Sequence, residues 1–522
     1  MYRYIALARP RQRPWSAAAI LLCVALILWF VITALATPFD HDESQYVAGA
    51  YFSAKMLMFR DFLYLQPPLH GWVMAPLAWL FPSHTLLAMR LATAAMALGT
   101  LGLLWSAQRL AGISRDSAAL STLLIAATAT FQFAGAVTRN DMLPALLSAG
   151  GMLMLLRAMR TCHHRHWMTA GVLLGLAIAA KLSFAPLALS AGLFTLFTGG
   201  RCGPWAAWWL GVGGALGVSP MILAWALAPE AFVYGVVTFA MTGPFAWYGA
   251  NGAGHELTVL EKAVDLLRFL WRGPALVALL LVVWHYRDAR TRRLSPERRL
   301  ALWLVGGGVV GAVLPTPSHV QYLMPLLPPL ALALGHCLDD ARHWRASARQ
   351  MLLALLSLAA LPGMIKATRH VTVMIADGSP VMEATAAAHW AGDVARDAGA
   401  GGTVATLSPH LMADSGLPLD PRFAAGPFVY RSGWTITPAT ARRLKAITPQ
   451  TIGELDRNPP GAILVGYEGG TPKLPMGPDR ELVAYARRHG YRMVEMPDDV
   501  GRLYLRRRVE AGPAVPDRRR AS

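Results

Sequence analysis

Residues 17–46 read AAAILLCVALILWFVITALATPFDHDESQY, an apolar run that is followed at once by a cluster of carboxylates. An α-helix needs about 20 mostly apolar residues to cross a bilayer, so this run predicts a first transmembrane span. The run is too long for the apolar part of a cleavable signal peptide, which is about 7–15 residues. The acids Asp40, Asp42 and Glu43 are therefore expected at a membrane surface.

The composition agrees with a membrane protein. Of 522 residues, 55% are hydrophobic and 15% are charged, whereas a soluble domain has about 25% charged residues. High hydrophobicity excludes a disordered chain, and four cysteines exclude a disulfide-rich secreted scaffold. The net charge of +18 is explained by arginines spread over separate short loops, which is a topology signal and a poor basis for nucleic-acid binding.

Further apolar runs predict an all-α polytopic bundle over residues 1–369. About eleven spans are expected, near residues 15–36, 88–109, 116–135, 142–158, 167–181, 183–199, 204–227, 268–286, 299–316, 321–338 and 350–367. The stretch 68–82 is apolar but short and broken by prolines, so it is interpreted as a re-entrant or interfacial segment within the first outward loop, 37–83.

The positive-inside rule orients the bundle. Arginines at positions 3, 9, 11 and 13 predict a cytoplasmic N-terminus, and together with the later connections on that side they give more than twice as many Lys and Arg as the opposite side holds before residue 370. One of these inner loops carries the cluster Cys162-His163-His164-Arg165-His166. It is interpreted as a basic loop because acidic ligands, the usual support of a metal site, are missing from it.

The composition changes after residue 370. Short β-like runs appear between helix-like stretches, at Thr403–Leu407, Ala462–Val465, Arg492–Glu495 and Arg502–Leu505. They predict a small α/β domain over 370–508. Because eleven is an odd number of spans and the N-terminus is predicted to be cytoplasmic, this domain is expected outside the cytoplasm. Residues 509–522 are predicted to be a disordered basic tail.

Two neighbouring carboxyls, Asp42 and Glu43, follow the first span. Their repulsion is expected to raise the pKa of one of them. Such a group can accept a proton from a hydroxyl or bind a divalent cation. The alternative is a hydrated loop in which Asp42 only caps a helix that starts near Ser44.

Other polar residues are predicted on the same outward side. They are Gln66, His70, Arg90, Arg139, Asp141, Lys181, His255, Glu256, Arg268, Arg272, His319, Gln321 and Tyr322. Each has a structural alternative: Arg139 and Asp141 can pair with each other, Lys181 can extend to the headgroups, and Arg268 and Arg272 can anchor lipid. Their common sidedness favours a functional site, since charges near a bilayer are costly.

These residues carry a resemblance to a known family. The run Asp42-Glu43-Ser44-Gln45-Tyr46 resembles the D-E-x-x-Y motif of GT-C-fold glycosyltransferases that use lipid-linked sugars. It is most similar to the dolichyl-phosphate-mannose protein mannosyltransferase group, whose bacterial members include aminoarabinose transferases and rhizobial lipopolysaccharide core transferases. Further matches follow in order over residues 15–370, at Pro67-Pro68-Leu69-His70, Arg90-Leu91, Arg139-Asn140-Asp141, Gly175–Lys181 and Tyr322-Leu323-Met324-Pro325.

The resemblance implies direct displacement at the anomeric carbon of a polyprenyl-phosphate sugar, on the outward face of a bacterial inner membrane. The acceptor would be a hydroxyl of a lipid, glycan or protein. Asp42 would be the base, and Glu43 would orient Asp42 or the acceptor. Lys181, Arg268 or Arg272 would bind the phosphate, while Tyr46 could stack on the sugar. No cofactor is required, although some GT-C members use a divalent metal.

One position departs from the family pattern. In the aminoarabinose transferases an acidic residue and a lysine precede the Pro-Pro pair, whereas here Leu65 and Gln66 occupy those positions. The substitution argues against a close relation to that branch.

Three other functions were weighed. A transporter or flippase of lipid-linked glycans predicts mid-membrane charges and an inverted repeat. A polysaccharide polymerase or ligase predicts a large outward loop late between spans. A non-enzymatic scaffold with an outer sensor domain has no need of two acids so close to the bilayer. The pattern of residues favours the glycosyltransferase.

Overall fold

The computed structural model describes residues 16–198, 202–287, 294–469 and 477–506. The N-terminal arginines and the basic tail 509–522 lie outside these residues. Helices dominate the chain up to residue 377. The first of them are α1 Ala17–Ala36, α2 Glu43–Ser53, α3 Leu69–Leu80, α4 Thr85–Leu110, α5 Arg115–Ala126, α6 Ala129–Ala136, α7 Met142–Thr161, α8 His164–Ala180 and α9 Ala185–Thr198.

The helices after residue 202 include several short ones. They are α10 Trp205–Gly217, α11 Ser219–Leu227, α12 Pro229–Val233, α13 Phe239–Ala250, α14 Val259–Trp271, α15 Ala275–Tyr286, α16 Pro296–Val313, α17 Leu327–Ala341 and α18 Ala346–Asp377. A 3₁₀ segment, Val320–Leu326, leads into α17. The predicted interfacial stretch 68–82 contains α3.

The expectation of about eleven spans is not confirmed. Among the described residues, six helices are long and apolar enough to cross a membrane, or up to eight if two bent pairs each count as one span. The predicted spans 167–181 and 183–199 are α8 and α9, with 17 and 14 residues. At 1.5 Å per residue they reach only about 26 and 21 Å, less than the roughly 30 Å of a bilayer core.

The two bent pairs meet at their breaks. The axis turns by 70° between α5 and α6 and by 96° between α14 and α15. The amide of Ala129 donates to the carbonyl of Arg272 at 2.9 Å, and a side chain at Gly273 would lie 2.8 Å from the Cα of Thr128. Gly273 also has a φ of +129°, which only glycine adopts readily. This junction fixes where Arg272 projects.

A small α/β unit follows α18, as predicted. Its helices and strands are α19 Pro380–Asp397, β1 Val404–Thr406, α20 Pro427–Arg431, α21 Pro438–Arg443, β2 Ala462–Val465, α22 Arg480–Arg488, β3 Arg492–Glu495 and β4 Arg502–Leu505. The sheet order is β1-β2-β4-β3, with β1 and β2 parallel and the other pairs antiparallel. All four predicted strands are therefore confirmed.

The α/β unit packs on one end of the helical bundle. The Asp414 carboxylate accepts from the first amide of α4, at Thr85, at 2.7 Å, where a helix N-terminus favours negative charge. Ser379 donates to the carbonyl of Leu35 at 2.9 Å. Side chains of α2 and of the sheet, such as Val47 and Leu464, share one buried apolar cluster. Burial of such apolar surface stabilises the contact by roughly 25 cal/mol per Å².

Polar contacts join helix ends at the opposite end of the bundle. The amide of Ser114 donates to Asp339 at 3.1 Å, and Arg298 pairs with Asp340 at 2.5 Å. Cys162 and Cys202 form a disulfide at this end, so neither is a thiolate ligand for a metal. Many of the arginines that were expected in the cytoplasm flank these helix ends.

Candidate active site

A cavity of about 930 Å³ lies where the α/β unit meets the bundle. The bundle contributes the first outward loop, the junction of the bent pairs and one face of α18. The α/β unit contributes residues from α20 and from the segment after β2. Polar side chains on its wall are Asp40, His41, Asp42, Arg139, Tyr248, Arg272, His319, Gln321, Lys366, Arg431, Tyr467 and Glu468.

Asp42 faces this cavity and is held by Arg139. Its Oδ2 lies 2.5 Å from Nη2 of Arg139, and 26% of the side chain is exposed. Asp42 occupies the N-cap position of α2, but its side chain makes no capping hydrogen bond. The carboxylate is therefore directed at Arg139 and the cavity, and the interpretation of Asp42 as a simple helix cap is not supported.

Arg139 forms ion pairs with three carboxylates. Besides Asp42, it pairs with Asp40 and, through Nε at 3.2 Å, with Asp141. The expected pairing of Arg139 with Asp141 is thus present, but it is one part of a larger cluster. Arg139 itself is buried, so its charge is little screened by water and acts strongly on the adjacent acids.

Glu43 points away from Asp42 and is fully buried. Its two oxygens accept from Nε and Nη2 of Arg90 at 2.8 and 2.5 Å. The amides of Asp40 and Thr138 donate to the same carboxylate at 3.0 and 2.9 Å. Glu43 therefore ties α4 to the loops that carry Asp40 and Arg139, and it does not line the cavity.

Repulsion between Asp42 and Glu43 was expected to raise the pKa of one of them, and the structure contradicts this expectation. Burial opposes ionisation of Asp42, but Arg139 and His41 lower its pKa below the ordinary value. Burial likewise opposes ionisation of Glu43, and Arg90 lowers its pKa. The raised pKa belongs to Asp40, because of burial and the nearby acids. The expectation was wrong because Asp42 and Glu43 face different arginines.

Lys181 does not line the cavity. Its Nζ donates to Asp141 and lies 5.1 Å from the ring centre of Tyr322. The lysine is buried and is not among the lining residues. It therefore does not extend to the headgroups, and its charge is already matched by a carboxylate.

A second set of polar residues, centred on Asn140, packs next to the carboxylates that pair with Arg139. The Tyr46 hydroxyl donates to Oδ1 of Asn140 at 2.8 Å, and Nδ2 of Asn140 donates to Gln66 at 3.0 Å. The ring of His70 packs edge-on against Tyr46, with centroids 5.3 Å apart. Tyr46, Gln66 and His70 are therefore close to the acids, but they do not line the cavity.

Three cations line the cavity without an acidic partner. Within the described ranges, no ion pair is formed by Arg272, Lys366 or Arg431. Each lies near an aromatic ring instead: Arg272 is 5.6 Å from the centre of Phe269, Lys366 is 6.0 Å from that of Phe133, and Arg431 is 4.7 Å from that of Phe428. Unmatched positive charge in a cavity favours an anionic ligand.

The remaining predicted site residues divide into two places. His319 and Gln321 line the cavity. Arg268 is outside it, half exposed and paired with Asp265 at 2.6 Å. His255 and Glu256 pair with each other at 3.4 Å, also outside the cavity.

The acids near Arg268 are the one set of possible metal ligands found among the described residues. Ligand atoms of Glu256, Glu261 and Asp265 lie within 4.8 Å of one another. Carboxylate oxygens suit Mg²⁺ or Ca²⁺, but none of the three residues lines the cavity.

Lys366, Arg431 and Glu468 were not identified from the sequence. Lys366 carries a signal that could have been used, because a lysine at the end of an apolar predicted span is costly in a membrane. Arg431 and Glu468 have no such signal. They are ordinary charged residues of an α/β domain, and only the packing of that domain brings them to the cavity.

Comparisons with known proteins agree with this architecture. Residues 65–225 match the family model described as dolichyl-phosphate-mannose-protein mannosyltransferase. The crystal structure of ArnT from Cupriavidus metallidurans bound to undecaprenyl phosphate matches with a TM-score of 0.59 at 17% identity, over 94% of this chain and 98% of that chain.

The apo state of the same protein matches with a TM-score of 0.59 at 16% identity, over 93% and 97% of the two chains. No curated protein matches the sequence. The chain thus has the GT-C fold of ArnT, and its resemblance to the dolichyl-phosphate-mannose-protein mannosyltransferases is confirmed.

Proposed function

We propose that this cavity transfers a sugar from a polyprenyl-phosphate donor to a hydroxyl of a lipid, glycan or protein acceptor. The observation that carries the proposal is the joint presence of an accessible Asp42, paired with Arg139, and of unmatched cations on the wall of one cavity. The cavity lies at one end of a membrane bundle, where a lipid-linked donor and an aqueous acceptor can meet. The likeness to a protein bound to undecaprenyl phosphate supports the choice of donor.

Asp42 is the proposed base. The acceptor oxygen forms a bond to the anomeric carbon, the bond from that carbon to the phosphate oxygen breaks, and the phosphate leaves with the electron pair. The hydroxyl proton passes to Asp42 as the new bond forms. A lowered pKa makes Asp42 a weaker base, but it keeps the carboxylate ionised, so that it can orient the hydroxyl and accept the proton at neutral pH.

Glu43 and Arg139 are proposed to position Asp42. Arg139 fixes the carboxylate through the contact at 2.5 Å, and Glu43 fixes the backbone on both sides of the cluster. This agrees with the orienting role that the resemblance implied for Glu43 toward Asp42, but not with orientation of the acceptor, because a fully buried carboxylate with four hydrogen bonds has no face left for a substrate.

Arg272 and Lys366 are proposed to bind the donor phosphate. Cations placed where negative charge develops on a leaving group stabilise the transition state. Neighbouring wall residues are apolar, and one of them, Ile365, is 64% exposed on a helix long enough to span the membrane. A polyprenyl chain can reach the phosphate along this face of α18. Lys181 is less suited to the same task, since Asp141 already matches its charge.

The phosphate site leads to a binding prediction. The variants Arg272→Gln and Lys366→Gln are each expected to weaken binding of undecaprenyl phosphate by about tenfold, because each removes one charge-assisted hydrogen bond worth roughly 1.5–3 kcal/mol. Binding is measured on the purified full chain in lipid nanodiscs. The matched control is Arg369→Gln, an exposed cation on α18 that does not line the cavity. Equal weakening in all three variants would show a general charge effect and would contradict the site.

The outward orientation is part of the proposal. The cavity and the arginine-rich helix ends lie at opposite ends of the bundle, which is the distribution that the positive-inside rule favours for a cavity outside the cytoplasm. We propose a bacterial inner membrane, with the α/β unit extracytoplasmic.

A further inference from the structure

The segment after β2 brings an acid of the α/β unit into contact with the first outward loop. Nε2 of His41 lies 2.8 Å from Oε2 of Glu468. The other oxygen of Glu468 accepts from Ser408 at 3.1 Å. Glu468 is buried, although the His41 side chain keeps 39% of its surface exposed toward the cavity. The contact spans 427 residues of sequence.

The topology of the sheet explains why Glu468 lies next to His41. Ser408 follows β1 and Glu468 follows β2, and these two strands are parallel neighbours. Side chains that follow the carboxyl ends of adjacent parallel strands converge in one crevice, which is where α/β sheets bind ligands. Here the crevice is occupied by the His41 ring, which also packs edge-on against Phe428 with centroids 4.9 Å apart.

The other side of the His41 ring faces the proposed base. Nδ1 of His41 lies 3.9 Å from Oδ1 of Asp42. The charged and titratable groups around the ring are Asp42, Glu468, Arg431 and His410. Both acids favour an imidazolium, and Arg431 opposes it. His41 thus stands between a carboxylate of the α/β unit and the carboxylate of the site.

We propose that Glu468 is a positioning residue of the transfer reaction: it holds the His41 ring beside Asp42 and thereby makes the α/β unit part of the active site. This inference rests on the proposed function. The imidazolium helps to hold the Asp42 carboxylate in place, as Arg139 does from the other side. Without the α/β unit, Asp42 would keep its ion pair with Arg139 but lose the His41 imidazolium that Glu468 holds beside it.

The protonation of His41 gives the inference a measurable signature. Burial disfavours the imidazolium, but the carboxylate of Asp42, 3.9 Å away, and that of Glu468, hydrogen-bonded to the ring, raise the pKa of His41 to about 9. A raised pKa means that the charged form, and its contribution, are present below that pH and lost above it. Glu468→Gln removes one of the two acids and leaves burial, so the pKa should fall toward or below the ordinary value of about 6.5.

The test is the pH profile of kcat/KM for the full chain in nanodiscs. The donors are undecaprenyl-phosphate hexoses and pentoses, and bacterial envelope lipid extract serves as acceptor. We expect the alkaline limb of Glu468→Gln to move down by about two pH units or more. At about pH 8.5 the loss should then exceed tenfold, while the rate at about pH 6 changes by less than about threefold.

Two controls separate positioning from a structural effect. In His41→Gln the titrating ring is absent, so adding Glu468→Gln should cause no further loss, as for two residues that act as one unit. Glu495→Gln, an exposed acid on β3, should leave the profile unchanged. An equal loss at every pH in Glu468→Gln, or full additivity with His41→Gln, would overturn the inference. Absence of turnover with every donor in the wild-type chain would instead refute the proposed function.

Discussion

Replacing Asp42 by asparagine is expected to lower the rate of sugar transfer by about 10³-fold, within the range of 10²–10⁴ that a positioned general base contributes. Asparagine keeps the shape of the side chain and can still accept a hydrogen bond from Arg139, but it cannot take up the proton of the acceptor. The rate is measured as undecaprenyl phosphate released from undecaprenyl-phosphate sugars. The unfolding temperature should stay close to that of the wild-type chain.

Asp40→Asn is the matched control for this prediction. Asp40 lies in the same loop, also contacts Arg139 and also lines the cavity, yet burial raises its pKa, whereas the pKa of Asp42 is lowered. We expect Asp40→Asn to cost less than about tenfold, since it removes a neighbouring charge and not the base. A folded Asp42→Asn protein with unchanged transfer would exclude Asp42 as the base. Equal losses in both variants would assign the effect to the charge of the cluster.

The largest loss of stability is expected from Glu43→Gln. This change leaves Arg90 buried with an uncompensated charge, and breaking a buried ion pair in this way costs about 3–5 kcal/mol. The hydrogen bonds from the amides of Asp40 and Thr138 also become weaker, because their acceptor is no longer charged. The variant should unfold several degrees lower, or accumulate poorly as folded protein, when followed by thermal unfolding in detergent.

The double variant Glu43→Gln/Arg90→Met distinguishes the buried charge from a loss of shape. Removing the arginine as well relieves the unpaired charge, so part of the stability should return. Recovery will be incomplete, because Arg90 also donates to the carbonyls of Ala34 and Thr37 at 3.1 and 2.6 Å. Glu495→Gln should have little effect. A Glu43→Gln protein as stable as the wild type would contradict the structural part assigned to Glu43.

The sequence predicted local structure well where neighbouring residues decide it. Ala462–Val465 is a run of buried apolar residues between Gly461 and Gly466, and it is β2 with the same bounds. The first span, the acids that follow it and the order of the family motifs are likewise local signals. The bend at Gly273 was not predicted, because a hydropathy window averages across the break.

The cavity depends on contacts between distant parts of the chain, and these were only partly predicted. The prediction that the polar residues share one side of the membrane grouped Asp42, Arg139 and Arg272, which all line the cavity. It could not separate Lys181, which Asp141 neutralises, from Lys366, which has no acidic partner in the part of the chain that the structure describes. Nor could it bring Glu468 to His41, since that contact requires the sheet to be formed and docked.

The location of the donor phosphate tests the central claim most directly. Cryo-electron microscopy of the full chain in lipid nanodiscs with undecaprenyl phosphate will show where the phosphate binds. We predict density inside the cavity, within ion-pair distance of Arg272 or Lys366 and facing Asp42. Phosphate bound at the arginine-rich end of the bundle, or on the outer surface away from Asp42, would contradict the account.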